Sequence, residues 1–389
     1  MSHAERLTER DAWIVLNSVP GIGETILGVL LAQFRAAGHV LDAARDGTLQ
    51  AWNRLARRSD NRPWLDADVV SALIQAADDP DSRLRPIADL SLWTLTALDS
   101  DYPQRLRDLD PPPAVIHGLG NRALLDAERT VAIVGTRRPT PAGRALTSKV
   151  SVRVGEAGAV VVSGLAVGID GVAHAAAVDR GKPTIGVIGA GHLQPGPRAH
   201  ARLRDEIIAT GGALISEHHP EAHATRGTYP RRNRIISALG DATVVVEAPR
   251  TSGAIITANH ALGLGRNVYV APGRIGDWSV EGSLKLLRET PAKPIAGIEE
   301  LIEDLGYYGD ANVRESSPLV AKEAALKMLG PTERAVASRL CVSPAGLDAL
   351  VADTGLPPGA ISSAVTLLLM RGWVQTAGPA YIAASPLAK

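Results

Sequence analysis

The sequence predicts an α/β protein with a parallel β-sheet at its centre, a helical module before it and a small winged domain after it. Three observations carry that prediction. From Pro113 to about Leu305, short β-branched runs alternate with stretches of helical spacing, which is how βαβ units read. Ahead of them, runs such as "TILGVLLAQFRAAGHVLDAA" place apolar residues at helical intervals. Behind them, three short helical stretches lead into "VQTAGPAYIAA", a hairpin pattern.

Residues 1–82 form the N-terminal module. Its "VPGIG", Val19 to Gly23, has the glycine spacing of a helix-hairpin-helix (SAM-like) turn, whose backbone N–H groups can hold a phosphate. Glu24 follows directly and no Lys or Arg occurs before Arg35, so a structural or partner-binding hairpin is expected. Residues 83–307 carry the sheet, with strands at "AVIHGLG", "TVAIVGT", "AVVVSGL", "PTIGVIGA", "GALISE", "ATVVVEA" and "NVYVAPG". Helical segments between them would cover both faces, giving a Rossmann-like core. Residues 308–328 are a polar linker, and 329–389 read as three helices and a wing. The third of those helices, "GAISSAVTLLLMR", has a single cation, Arg371. Groove binding needs several phosphate and base contacts, so this domain is expected to be a protein-contact or auxiliary module.

Composition narrows the classes of function. The 389 residues hold 41 basic and 41 acidic side chains, so any affinity for a polyanion must come from where the charges lie. A lone cysteine, Cys341, excludes an internal disulfide and a multi-cysteine zinc site. The opening "MSHAERLTERDAW" is charged where a signal peptide is apolar, and the apolar runs are of strand length. A soluble, cytoplasmic protein without a membrane span is expected. The histidines of "SEHHPEAH" are irregularly spaced, and neither a metal nor a cofactor is expected.

Open parallel sheets bind ligands outside the carboxyl ends of their strands. There the sequence places Thr136, Arg137 and Arg138, then Leu165 to Asp170, then the cluster "RGTYPRRNRII", then Ser252 and Gly253 opening a helix. These loops are glycine-rich, hydroxyl-bearing or basic, which suits phosphate. The Gly-x-Gly-x-x-Gly of dinucleotide enzymes is absent after the first strong strand. Positioned carboxylates for glycosidic cleavage are missing too, since Glu217, Glu247 and Asp170 read better as helix caps or arginine partners. No catalytic residue is expected, and a protein that binds or cleaves small nucleotides on a related sheet remains the alternative.

The run "VAIVGTRRPTPAG … SGLAVGIDGVAHAAA … LISE … YPRRNRIISAL … VVVEA … SGAIITANHAL … GRNVYVAPG … EGSLKLL" resembles the DNA-processing protein A (DprA/Smf) family, in order and across nearly the whole core. The resemblance implies sequence-nonspecific binding of single-stranded DNA, a homodimer, and loading of RecA during natural transformation. It implies DNA contacts at Gly135, Thr136 and Arg137; at Ser163 and Gly164; at Arg226, Tyr229, Arg232, Asn233 and Arg234; and at Ser252, Gly253 and Thr257. The chemistry agrees, because a sequence-tolerant strand binder needs cations for phosphates and an aromatic face for bases. The sequence departs from the family pattern at "HLQPGPRAHARL", where Leu193 and Gly196 replace an aspartate and part of a Tyr-Pro.

Overall fold

The computed structural model describes residues 7–194, 196, 198–225, 227–306, 326, 329–371, 373–377 and 380–383. The chain divides into two compact units, Met1–Gly309 and Asp310–Lys389.

The first unit holds a nine-stranded sheet in the order β1-β2-β6-β5-β4-β3-β7-β8-β9. Its parallel part is β3 (Thr130–Val134), β4 (Val160–Ser163), β5 (Thr184–Val187), β6 (Ala213–Ser216), β7 (Ala242–Val245), β8 (Asn267–Val270) and the two-residue β9 (Lys293–Pro294). Strands β4 to β6 build away from β3 in one direction, and β7 to β9 in the other. The strand order therefore reverses between β3 and β7, which leaves a crevice at their carboxyl ends.

Side chains alternate across the sheet as period two requires. Val131 and Ile133 of β3 pack beneath α8 (Pro141–Glu156) and α9 (Ile169–Val178), in one apolar cluster. Ala132 and Val134 pack in the opposite cluster, with Ile235, Ile236 and Leu239 of α11 (Thr228–Leu239) and Ala258 of α12 (Gly253–Gly263). Both faces are covered, so the strands are apolar throughout.

One edge differs from the expected all-parallel sheet. β2 (Val115–Gly120) runs antiparallel to β6, and β1 (Trp93–Thr96), a strand the sequence reading lacks, runs antiparallel to β2. β2 leads to β3 through a short 3₁₀ turn, Arg122–Asp126, although the two strands are not neighbours in the sheet. The N-terminal helices α1 (Glu9–Ser18), α2 (Glu24–Phe34), α3 (Ala37–Asp46), α4 (Thr48–Leu55), α5 (Ala67–Asp78) and α6 (Asp81–Asp89) bury Leu16, Leu30, Leu41 and Leu73 against one another. The same cluster contains Leu92, Ala114 and Val115. The module thus shares its core with the antiparallel edge.

The second unit has helices Pro331–Leu340, Leu347–Thr354 and Pro358–Met370, and a hairpin pairing Val374–Ala377 with Ala380–Ala383. In its third helix Ile361, Ala364, Val365 and Leu368 are buried, a stripe at helical spacing. Ser362, Ser363, Thr366, Leu367 and Met370 are exposed on the other side. No single helix among the described residues is long and apolar enough to cross a membrane.

Candidate nucleic-acid interface

A cleft of about 780 Å³ opens at the carboxyl ends of β3 and β7, where the strand order reverses. Gly135, Thr136 and Arg137 from the loop after β3, Tyr229, Arg232 and Asn233 from α11, and Ser252, Gly253 and Thr257 at the start of α12 all line it. Nine of the thirteen residues singled out in the sequence thus meet around one space.

Backbone contacts hold the β3 loop. Thr136 N–H donates to the Glu247 carbonyl at 2.7 Å, and its own carbonyl accepts from Ile169 N–H at 3.1 Å. Gly168, at φ 97°, lets the next loop approach, since a Cβ there would lie 2.7 Å from Arg137 Cα. Glu247 anchors the start of α8: its carboxylate accepts from Thr140 N–H at 2.9 Å and from Thr140 Oγ1 at 2.5 Å. Arg137 is left exposed, with its guanidinium carbon 5.5 Å from the centre of the Tyr229 ring. That ring is 39 % exposed. It lies against Gly189 at the end of β5, where a Cβ would come within 3.1 Å of Tyr229 Cδ1. Beyond it opens a slot of about 90 Å³ between Tyr229, Arg137 and the backbone of Gly164, Gly189 and Gly191, with Gln194 and Gly196 on its wall.

The opposite wall is the N-terminus of α12. Ser252 caps it, its hydroxyl accepting from Ala254 N–H at 3.2 Å. Asn233 Nδ2 donates to the Gly253 carbonyl at 3.3 Å, and Thr257 Oγ1 to the same carbonyl at 3.2 Å. A helix N-terminus bordered by hydroxyls attracts anions.

The arginine cluster is arranged otherwise than a basic loop. It begins helix α11, and successive residues turn by about 100°, so its cations point to different places. Arg232 is 4 % exposed and donates through Nη1 to the carbonyls of Gly164 and Val187. Burial lowers its pKa and raises that of Asp170, each effect offset by the opposite charge of the other. Asp170 also accepts from Gly164 N–H at 3.1 Å. Arg232 therefore braces the cleft wall from behind.

Arg231 and Arg234, one turn apart, face the N-terminal module. Arg234 pairs with Glu24 at 2.7 Å and with Glu217, and donates to the Pro111 carbonyl at 3.0 Å. Arg231 also pairs with Glu24. Side-chain exposure is 12 % for Arg234, 5 % for Glu217 and 11 % for Glu24. Burial raises the Glu217 pKa, opposed by Arg234. Arg234, expected on DNA, is thus held by two carboxylates distant in sequence. Ser163 is likewise fully buried, its hydroxyl donating to the Ile133 carbonyl at 2.6 Å. Arg226 lies outside the described residues.

Three exposed groups lie outside the thirteen residues singled out for DNA contact, although Arg138 stands at the same sheet edge in the sequence. Arg250 is exposed and stands in the chain between the cleft-lining Pro249 and Thr251, and Trp278 lines the cleft from a 3₁₀ turn, Trp278–Val280. Arg138 follows Arg137 with no ion pair among the described residues. The strand-end rule that selected Ser252 reaches Arg250 as well. Trp278 had no such signal, being eight residues past its strand.

Comparisons with known proteins place the chain in a family. Residues 93–306 match the family model described as DNA recombination-mediator protein A, and residues 320–378 match the DprA winged helix domain. A protein of Mycobacterium tuberculosis named as a DNA processing protein DprA is 32 % identical over 374 residues, 93 % of this chain and 91 % of the relative. The crystal structure of DNA processing protein A from Streptococcus pneumoniae superposes with a TM-score of 0.61 at 28 % identity, covering 77 % of this chain and 98 % of that one. The Helicobacter pylori protein, whose structure concerns its single-stranded DNA binding mode, gives 0.51 at 30 % identity, over 56 % and 97 %. This chain belongs to the DNA-processing protein A (DprA/Smf) family of recombination mediators.

Proposed function

We propose that the chain binds single-stranded DNA, without reading its sequence, in the cleft between the ends of β3 and β7. The observation that carries this reading is the convergence of Arg137, the exposed Tyr229 ring and the hydroxyl-bordered start of α12 on one open space. Phosphates are met by Arg137, with Arg138 and Arg250 exposed on the adjoining loops, and a base is met by Tyr229. Arg232 holds the shape of the wall, while Arg231 and Arg234 hold α11 to the helical module. Relatives named for DNA processing and for single-stranded DNA binding support the reading. Cytoplasmic location, a homodimer, loading of RecA onto the covered strand, and binding without covalent chemistry complete the proposal.

The test is a competition assay offering an oligothymidylate, a duplex of equal length and mononucleotides across a salt series. With about four phosphate contacts, log K should fall with log salt at a slope of about −3. Preference for mononucleotides, or an affinity indifferent to salt, would reject this function in favour of a small-nucleotide site.

A further inference from the structure

We infer that Trp278 is a second base-stacking surface in the same cleft, so that a bound strand is held by two aromatic faces from different elements. The inference rests on the strand-binding function proposed above and extends it to a residue outside the motifs that carry the family resemblance.

Trp278 is 59 % exposed and lines the cleft with Tyr229, Ser252 and Thr257. Only 3 % of the residues in this chain are aromatic, and most of a tryptophan's energetic contribution comes from burial. An indole left open beside a cationic cleft therefore forgoes that contribution unless a ligand covers it. Its backbone is fixed. Asp277 Oδ1 accepts from Ser279 N–H at 2.9 Å and from Ser279 Oγ at 2.8 Å, which sets the 3₁₀ turn. Val280, next to it, is 5 % exposed and packs onto Gly273. The ring is thus presented from an anchored turn, with little ordering left to be lost on binding.

Chemistry identifies the occupant. A protein partner would favour an apolar patch of some extent, and Ile275, 96 % exposed on the same loop, offers one candidate neighbour. Yet Trp278 shares its space with Arg137, two hydroxyls and a helix N-terminus, and Arg274 is exposed four residues before it. Cations and hydroxyls alternating with separate aromatic faces fit a chain of phosphates with flat bases between them. Two faces also impose a direction on the strand, from the Tyr229 wall past the start of α12 to the turn before α13 (Glu281–Glu289).

The experiment titrates the full chain with a fluorescein-labelled oligothymidylate and with an abasic strand of equal length, at one salt concentration. Wild type should bind the oligothymidylate with quenching of tryptophan fluorescence. Trp278→Ala should bind it roughly tenfold more weakly, the scale of one base–aromatic stack, with an unchanged melting temperature. Trp278→Phe should keep most of the affinity and lose the quench. On the abasic strand, Trp278→Ala and wild type should bind alike. Equal affinity of Trp278→Ala and wild type for the oligothymidylate overturns the inference. So does an equal loss on the abasic strand, which would mark a role in shaping the loop. A change confined to oligomeric state in sedimentation would assign Trp278 to a protein contact and overturn it too. If wild type binds no single strand at all, the proposed function itself fails, and that result is distinct from the other three.

Discussion

Two regions of this protein treat arginine in opposite ways. Where α11 meets the helical module, Arg231 and Arg234 are neutralised by Glu24 and Glu217 in a largely buried cluster. Around the cleft at the ends of β3 and β7, Arg137, Arg138 and Arg250 are exposed and have no carboxylate partner among the described residues. The same residue type therefore serves adhesion within the chain in one place and leaves charge available to a ligand in the other. What separates them is the supply of acids and the degree of burial, since a buried charge needs a partner while an exposed one is stabilised by water.

That contrast can be broken experimentally. Among single substitutions the largest effect is expected from Arg234→Ala, which strands Glu217 without its main partner. Unfolding by urea should show a loss of about 3–5 kcal/mol, the usual result of removing one member of a buried pair. Arg137→Ala should leave stability within about 0.5 kcal/mol of wild type. Equal stabilities for the two variants would erase the distinction.

Acid should also lower stability, through buried histidines. His117, opposite Ser216 in the β2–β6 ladder, and His218, next to Glu217 in the chain, are buried, which depresses their pKa values to about 3 and about 4. His192, bonded to the His117 carbonyl at 3.1 Å, is held at about 4, and His174 in α9 at about 3. The unfolded chain binds protons first, near the ordinary value of 6.5, so stability should be level above that pH and fall as pH drops toward 4. Each histidine contributes up to about 1.4 kcal/mol per pH unit in that window. The raised carboxyls of Asp170 and Glu217 work in the other sense and reduce the loss. Melting temperatures across pH 4 to 8 check this, and a rise on acidification would contradict it.

Smaller effects belong to the cleft. Arg137→Ala should weaken binding of an oligothymidylate about tenfold or more, by loss of a charge-assisted hydrogen bond to phosphate, and should reduce the salt slope by about 0.7. Tyr229→Ala should cost about 1–3 kcal/mol of binding, while Tyr229→Phe should leave affinity nearly unchanged, because the ring face is retained. Filter binding or anisotropy measures both. If Arg234→Ala, corrected for its unfolded fraction, lost more affinity than Arg137→Ala, the charge on the clamp side would be the one that DNA meets.

Much of the fold was legible in the sequence. β3, β4 and β7 announce themselves through β-branched runs, and α12 through its Ser-Gly start. β1 was not, because "WTLT" is four residues long with only two of them buried. The antiparallel direction of β2 was equally hidden, since it follows from a partner, β6, almost a hundred residues away. Arg137, Tyr229 and Ser252, which line the cleft, were singled out by their position after strands or in a basic cluster. The same cluster misled for Arg232 and Arg234. It has no acid within it, yet its counter-charges come from Glu217, 17 residues earlier, and Glu24, 210 residues away.

Local patterning by itself determined the alternating strands and helices, the sheet edge at which the cleft opens, and the family, because these depend on spacing along the chain and on residue type. Which arginine faces a ligand was decided only in three dimensions. A helix turns neighbouring side chains in different directions, and carboxylates brought in from remote segments decide which charges are already satisfied. Charge count is a property of sequence, but free charge is a property of the folded surface.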